Sequence, residues 1–285
     1  MWDKGADLAS WVDNWADHQP ASLAIEFKGV ETNYDQLSTR ISAIASWLHS
    51  QSVGVGDRVA WLGPNQPLAI ELLFACSRLG AIFLPLNSRL LVSEHSWILQ
   101  DAKPKLVVSH ESFLAHAEEA ATVIPVHSSD EVAQAETLDT TPRVGKLDDP
   151  VLLAYTSGTT GTPKGALLSQ SALAANAVNG AHAHDLTSKD RFLTFLPLFH
   201  VGGLNIQTLP ALMSGASVLL HESFDPGQWL KDVERWRPSW SLFVPATLDA
   251  VSTHPAFEET DLSSLTGLMA GSSTIPEATT RPFFE

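Results

Sequence analysis

Apolar positions along the chain switch repeatedly between helical and extended spacing. Leu37, Ile41, Ile44 and Leu48, within Tyr34 to His49, predict an amphipathic helix. Val53 to Arg58 reads as a turn, and Val59-Ala60-Trp61-Leu62 as a short buried strand ending at Gly63-Pro64-Asn65. Helix 67–79, strand 81–84, helix 93–101 and strand 105–108 then alternate. Residues 128–149 are polar, acidic and without period, and predict a surface excursion leading into strand 151–155. Helix follows from Ser171 to His182, and further strands are expected at 191–196, 216–220, 239–244 and 265–270. Between two of these strands lies a helix from Pro226 to Trp236, with proline in its first turn and Lys231 and Arg235 in its C-terminal half. Strands alternating with helices imply right-handed crossovers and a largely parallel sheet.

The pattern also excludes several classes. The longest apolar stretch, Leu72 to Leu86, contains Arg78, Gly80 and Pro85, so it reads as a buried helix and strand and not as a membrane span. Met1 to Asp7 has neither the basic nor the apolar region of a signal peptide. A net charge of −15 without a basic stripe argues against nucleic-acid binding. The lone cysteine, Cys76, leaves no intramolecular disulfide, fits a reducing cytoplasm and sits in an apolar run as a small buried side chain. With 285 residues and 44% hydrophobic content, the chain is long enough for two domains or one large α/β domain. Trp229, Trp236 and Trp240 are expected in the core.

The densest chemistry lies at Tyr155-Thr156-Ser157-Gly158-Thr159-Thr160-Gly161-Thr162-Pro163-Lys164-Gly165. Glycines let a backbone turn its N–H groups inward, the hydroxyls add donors and a metal ligand, and Lys164 supplies a fixed cation. Preceded by the apolar run Val151–Ala154 and followed by a helix-like segment, this is the layout of a polyphosphate loop. It is not a Walker loop: from Gly158, Pro163 stands where the second glycine belongs, and Gly165 follows the lysine in place of a hydroxyl. Gly54 and Gly56 likewise fail the dinucleotide fingerprint, because they precede the strand and position 59 is Val. A Ser/Thr/Gly linker is the bland reading of the loop, and a solvated surface lysine that of Lys164.

This segment resembles the phosphate-loop signature of the adenylate-forming superfamily of AMP-dependent synthetases and ligases. Leu196-Pro197-Leu198-Phe199-His200-Val201-Gly202-Gly203-Leu204 is similar to its next signature, and Ala81 to Asn87 to its upstream strand and turn. Phe243 to Thr247 and Gly271-Ser272-Ser273-Thr274-Ile275-Pro276 look like two further family segments, so the resemblance runs from about Leu23 to the end. It implies two stacked α/β subdomains, with largely parallel sheets flanked by helices, packed face to face around the site. The resemblance further implies an acyl-CoA synthetase of the fatty-acid–CoA ligase type. Such an enzyme uses ATP, Mg²⁺ and CoA to turn a small carboxylic acid into acyl-AMP and then a thioester. A cytoplasmic setting and a homodimer are compatible with it. An amino-acid or aryl-acid adenylation domain is the nearest rival, and a non-catalytic nucleotide-binding fragment another.

By the same resemblance, Ser157, Gly158, Thr159, Thr160 and Gly161 cradle the β- and γ-phosphates, Thr156 helps hold Mg²⁺, and Lys164 neutralises the departing pyrophosphate. His200, in isolation a structural histidine beside a Gly202-Gly203 turn, would shape and gate the place where acyl group and thiol meet, with a general base the weaker alternative. Gly271, Ser272 and Ser273 would approach adenine, although Ser272 and Thr274 replace a family glycine and proline. The other histidines, His182 and His184 among them, lack metal-ligand spacing and read as surface residues. The family's ribose-binding aspartate and C-terminal cap with its lysine are not found before Glu285. The chain is therefore expected to be an incomplete N-terminal adenylation domain (residues 1–285), inactive or weakly active alone.

Overall fold

The computed structural model describes residues 7–138, 141–156 and 163–283. Its strands are β1 (Leu23–Phe27), β2 (Val30–Asn33), β3 (Arg58–Leu62), β4 (Ile82–Leu86), β5 (Leu106–Ser109), β6 (Val126–Ser128), β7 (Pro150–Thr156), β8 (Lys164–Ser169), β9 (Arg191–Thr194), β10 (Ser217–Leu220), β11 (Trp240–Phe243) and β12 (Gly267–Ala270). They form two sheets, ordered β12-β11-β9-β10-β1-β2 (sheet A) and β6-β5-β3-β4-β7-β8 (sheet B). In each sheet all neighbours run parallel except at one edge, where β2 and β8 turn back antiparallel. The expected largely parallel architecture of two sheets with flanking helices is borne out.

The helices are α1 (Ser10–His18), α2 (Tyr34–Ser50), α3 (Pro67–Leu79), α4 (Val92–Ala102), α5 (Leu114–Ala121), α6 (Ser129–Ala133), α7 (Gln170–Ala183), α8 (Leu209–Met213), α9 (Pro226–Trp236), α10 (Pro245–Ser252) and α11 (Glu277–Thr280). Local sequence sets their ends. At α2 a capping box pairs Gln36 N–H with Asn33 Oδ1 at 2.8 Å and Asn33 N–H with Gln36 Oε1 at 2.9 Å. At α9, Asp225 caps the Gln228 N–H and Pro226 occupies the first turn. Gly80 ends α3 in the left-handed region, φ 67°, where a side chain is strained.

Alternation along the strands builds two cores. Val59 and Phe83 of sheet B pack with α2 and α3 residues such as Ile41, Leu72 and Phe74, and that cluster continues to Ile25 and Val218 of sheet A. Ala60, Leu62, Leu84 and Leu86 face the other way, onto Ile98 and Leu99 of α4 and the alanines of α5. Each fully buried Leu or Phe contributes about 1.5–3 kcal/mol relative to exposure. Trp229 and Trp236 are buried and Trp240 is half-buried against the same core, as expected. Cys76 is fully buried, and burial pushes its thiol pKa well above the ordinary range, so it is no nucleophile.

Three local expectations need correction. The segment after the phosphate loop is a strand before it is a helix: Lys164 opens β8, which pairs with β7, and α7 begins only at Gln170. The excursion 128–149 contains α6, capped by the Ser128 hydroxyl and anchored by the buried Val132. Gly202-Gly203 is no turn. It starts a π-helical segment, Gly202–Thr208, that runs directly into α8.

Candidate active site

The carboxyl ends of strands from both sheets meet at one place, where open α/β sheets characteristically bind ligands. A cavity of about 560 Å³ opens there. Gly63, Pro64 and Asn65 follow β3, Ser88 and Arg89 follow β4, and Phe195, Leu196, Pro197, Phe199 and His200 follow β9. Glu222 to Phe224 come from the exit of β10, Val244 and Thr247 from that of β11, and Ser272 from that of β12. The walls are largely apolar, with Phe195 stacked at 4.8 Å from Phe224 and 5.0 Å from Phe243, and a few polar groups are spaced between them.

Thus His200 and Ser272, separated widely in sequence, face one cavity. His200 Nδ1 accepts the Gly202 N–H at 3.0 Å, which leaves Nε2 as the nitrogen available to a ligand. Gly203 must be glycine: a Cβ there would lie 2.4 Å from Leu196 O and 2.6 Å from Pro197 O. Ser272 has a left-handed backbone, φ 69°, and is exposed with Ser273, while Gly271 donates to Phe243 O at 3.1 Å. Tight turning at the end of β12 explains a glycine-rich family segment, and Ser272 accepts that conformation here in spite of its Cβ.

Thr156 and Lys164 are brought together elsewhere on the same rim, as register partners across β7 and β8. Both are exposed, and the Thr156 hydroxyl reaches Lys164 O at 3.5 Å. They do not line the 560 Å³ cavity. Ser157, Gly158, Thr159, Thr160 and Gly161, together with Thr162, lie outside the described residues. The loop's root is firm: Tyr155 donates its hydroxyl to Asp101 Oδ2 at 2.5 Å and stacks edge-on against Trp97. Burial and then the Asp101 carboxylate push the Tyr155 phenol well above its ordinary pKa, so it stays protonated and donates. Across the ribbon, Gly165 leaves room for Leu153 and Tyr155, whose atoms would lie 2.8 and 3.2 Å from a Cβ.

Among the described residues no group of three His, Cys, Asp or Glu side chains could hold a metal. A hydroxyl such as that of Thr156 fits a magnesium ion that arrives on nucleotide phosphates and keeps most of its ligands from them and from water.

Two histidines expected at the surface are buried. His95, fully buried, donates from Nε2 to Asn87 O at 3.0 Å and accepts at Nδ1 from His116 Nε2 at 2.7 Å. Burial and the neighbouring His116 push its pKa down to about 4, so it is neutral. His221 donates from Nε2 to Asp232 Oδ2 at 2.9 Å. Asp232 also accepts from Gln228 at 2.7 Å and from Arg235, which bridges to Glu26 at 2.8 Å. Burial raises the Asp232 pKa, but the hydrogen bonds from His221, Gln228 and Arg235 outweigh it and hold the carboxyl well below its usual range. A second cavity of about 660 Å³ lies over this network. Its buried carboxylates, Glu26 and Asp232, are already paired with Arg235 and His221. Isolated histidines carry no local signal of such partners, which come from residues 8 to 21 positions away.

The comparisons with known proteins agree with this geometry. A feruloyl-CoA synthase of an Amycolatopsis species is 39% identical over 277 residues, covering 94% of the chain and 55% of the relative. An indoleacetate–CoA ligase of Aromatoleum aromaticum is 41% identical over 286 residues, 95% of this chain and 56% of its own length. The chain therefore spans about half the length of the curated relatives it matches. The inhibitor-bound N-terminal domain of FACL13 from Mycobacterium tuberculosis superposes with a TM-score of 0.90 at 27% identity, covering 98% of this chain and 73% of that one. ATP-bound MatB from Rhodopseudomonas palustris gives 0.88 at 28%, with 98% and 57% covered. The model of the AMP-binding enzyme family matches residues 12–285, and the chain belongs to that family.

Proposed function

We propose that this chain carries the pyrophosphate-releasing part of an acid–CoA ligase. The observation that carries the reading is the single rim on which Lys164, Thr156, His200 and Ser272 all stand, at the carboxyl ends of two sheets. A carboxylate is a poor acyl donor because oxide would have to leave. Attack of its oxygen on the α-phosphorus of ATP forms an O–P bond and breaks the bond to pyrophosphate. A thiol, that of CoA, then attacks the acyl carbon and AMP leaves. Little covalent chemistry falls to the protein, and positioning and charge stabilisation carry the rate.

In that reading Lys164 offsets the charge growing on pyrophosphate, with the N–H groups of the 157–161 loop around the phosphates. Thr156 lends a hydroxyl to the magnesium ion, which supplies charge neutralisation on the phosphates when bound. Gly271, Ser272 and Ser273 flank the base, and His200 shapes the wall against which acid and thiol meet. In a chain with net charge −15, such local cation and N–H groups are needed to admit a tetra-anionic nucleotide.

The relatives at 41% and 39% identity are named for indoleacetate and ferulate, whereas those named for fatty acids match at 31–32%. An acid with an aromatic group is therefore favoured over the fatty-acid assignment. ATP–pyrophosphate exchange with a panel of aromatic and alkanoic acids tests this. We expect exchange from the whole protein with an aromatic acid, and little or none from residues 1–285 alone. Absence of exchange with every acid would overturn the assignment.

A further inference from the structure

Asn65 belongs to no recognised motif, yet it makes a dense set of hydrogen bonds in the cavity wall. It follows β3 of sheet B and is 5% exposed. Its Nδ2 donates to Leu196 O at 3.0 Å and to His221 O at 3.1 Å, with Phe195 O at 3.4 Å as a third acceptor. Its Oδ1 accepts the Leu198 N–H at 2.8 Å, and its own N–H donates to Glu222 O at 3.3 Å. All of these partners leave the ends of β9 and β10, in the other sheet. One carboxamide therefore seams the two sheets at the mouth of the cavity.

The residue type follows from the inventory of partners. A short neutral arm must offer two N–H donors on one side and an acceptor on the other, which is what a carboxamide does. A carboxylate of the same shape would keep the Leu198 contact but present no proton to three carbonyl oxygens. A methyl group would orphan them all. Gly203 also lies against this segment, close enough that a Cβ would meet the Leu196 and Pro197 carbonyls. The segment 196–198 is thus held by Asn65 and closely packed by Gly203, and His200 is tied to it through its N–H to Pro197 O at 3.1 Å.

We infer that Asn65 is a positioning residue, which sets the place and orientation of the His200 imidazole by fixing the segment from Leu196 to His200. Its side-chain hydrogen bonds all go to backbone groups of the β9 and β10 exits. Its kinetic consequence rests on the proposed acid activation: recognition of the acid should suffer, and recognition of ATP should not.

The test compares wild type with N65D and N65A in the full protein. Carbethoxylation of histidines by diethyl pyrocarbonate, mapped by mass spectrometry, reads the His200 environment without requiring activity. We expect the His200 rate to change by about threefold or more, while exposed His18, His49 and His182 keep their rates. Ratios to wild type in N65D should return toward one as pH falls and the introduced carboxyl gains an O–H, and those in N65A should not. In ATP–pyrophosphate exchange, KM for the acid should rise about tenfold while KM for ATP stays within about twofold. A folded variant whose His200 reacts at the wild-type rate overturns the inference, as does a proportional loss of acid and ATP recognition. Should N65A fail to fold, the isosteric N65D carries the test through its pH dependence. If wild type shows no exchange with any acid, the functional reading falls, and the carbethoxylation rates still decide the role of Asn65.

Discussion

The two arms of the site are built in opposite ways. The segment 196–198 that carries His200 is largely buried between two sheets and hydrogen-bonded to Asn65, although the His200 side chain itself is exposed at the cavity. The Lys164 arm stands on β8, the edge strand of sheet B, whose first four residues are exposed. It is held mainly at its root, by ladder pairing and by the Tyr155–Asp101 hydrogen bond. The difference matches the two tasks proposed for them. A wall that chooses among acids must keep its shape, because misplacement of an ångström is costly. A cation facing a polyphosphate acts through a field that falls off slowly, and it tolerates solvent and reach. Helix α4 serves both arms: His95 holds the Asn87 carbonyl beside Ser88 and Arg89, and Asp101 holds Tyr155.

The sharpest break in this comparison should come from removing charge on the exposed arm. K164A is expected to lower ATP–pyrophosphate exchange of the whole protein by about a thousandfold. Its melting temperature should stay unchanged, because the side chain is exposed. A lysine that could be removed without kinetic loss would erase the distinction. On the gripped arm the loss should appear in stability itself. G203A places a Cβ against two backbone carbonyls that cannot move aside, and should cost about 3 kcal/mol in denaturant unfolding.

Acid should then act through α4. The pKa of His95 in the folded chain is pushed down to about 4, below its unfolded value, so the unfolded chain binds the extra proton. Stability should be intact above the unfolded pKa of about 6.5, and fall by roughly 2–3 kcal/mol as pH drops from there towards 4. H95Q should flatten that slope in a stability–pH series. The mildest perturbation is Y155F, which removes one hydroxyl from the loop's root. It should cost about 1 kcal/mol and leave the His200 arm untouched, as read by the carbethoxylation rate of His200.

Elements with a strong local signal were legible in the sequence, and those created by distant partners were not. Helix 67–79 and the helix from Pro226 to Trp236 match α3 and α9 because proline, apolar period and cap coincide there. β8 was hidden, since Lys164-Gly165-Ala166-Leu167-Leu168 has low strand propensity and becomes extended by pairing with β7. Gly202-Gly203 looked like a turn because glycine is read locally as flexibility. Gly203 is there for a close approach to carbonyls six and seven positions earlier. Asn65 after Gly63-Pro64 also had the composition of a turn, and its side-chain donor partners lie 130 to 156 residues ahead. His95 and His221 were misplaced at the surface for the same reason. The phosphate-loop reading rests on the glycines, hydroxyls and lysine of 155–165, of which 157–162 lie outside the described residues.

Sheet A is assembled from two stretches of chain separated by the whole of sheet B. The β1–β2 hairpin emerges first, yet β1 completes its pairing only with β10, and Ser217 bonds to Leu23 across 194 positions. At ordinary synthesis rates of about 5–20 residues per second, the hairpin waits roughly 10–40 s with an open edge. Sheet B, contiguous from β3 to β8, can close in that interval. Birth order and strand order thus disagree. The moment of greatest exposure to aggregation or chaperone capture falls before β10 is made, and tolerance of changes in β1 and β2 will be set by that wait as much as by the finished fold.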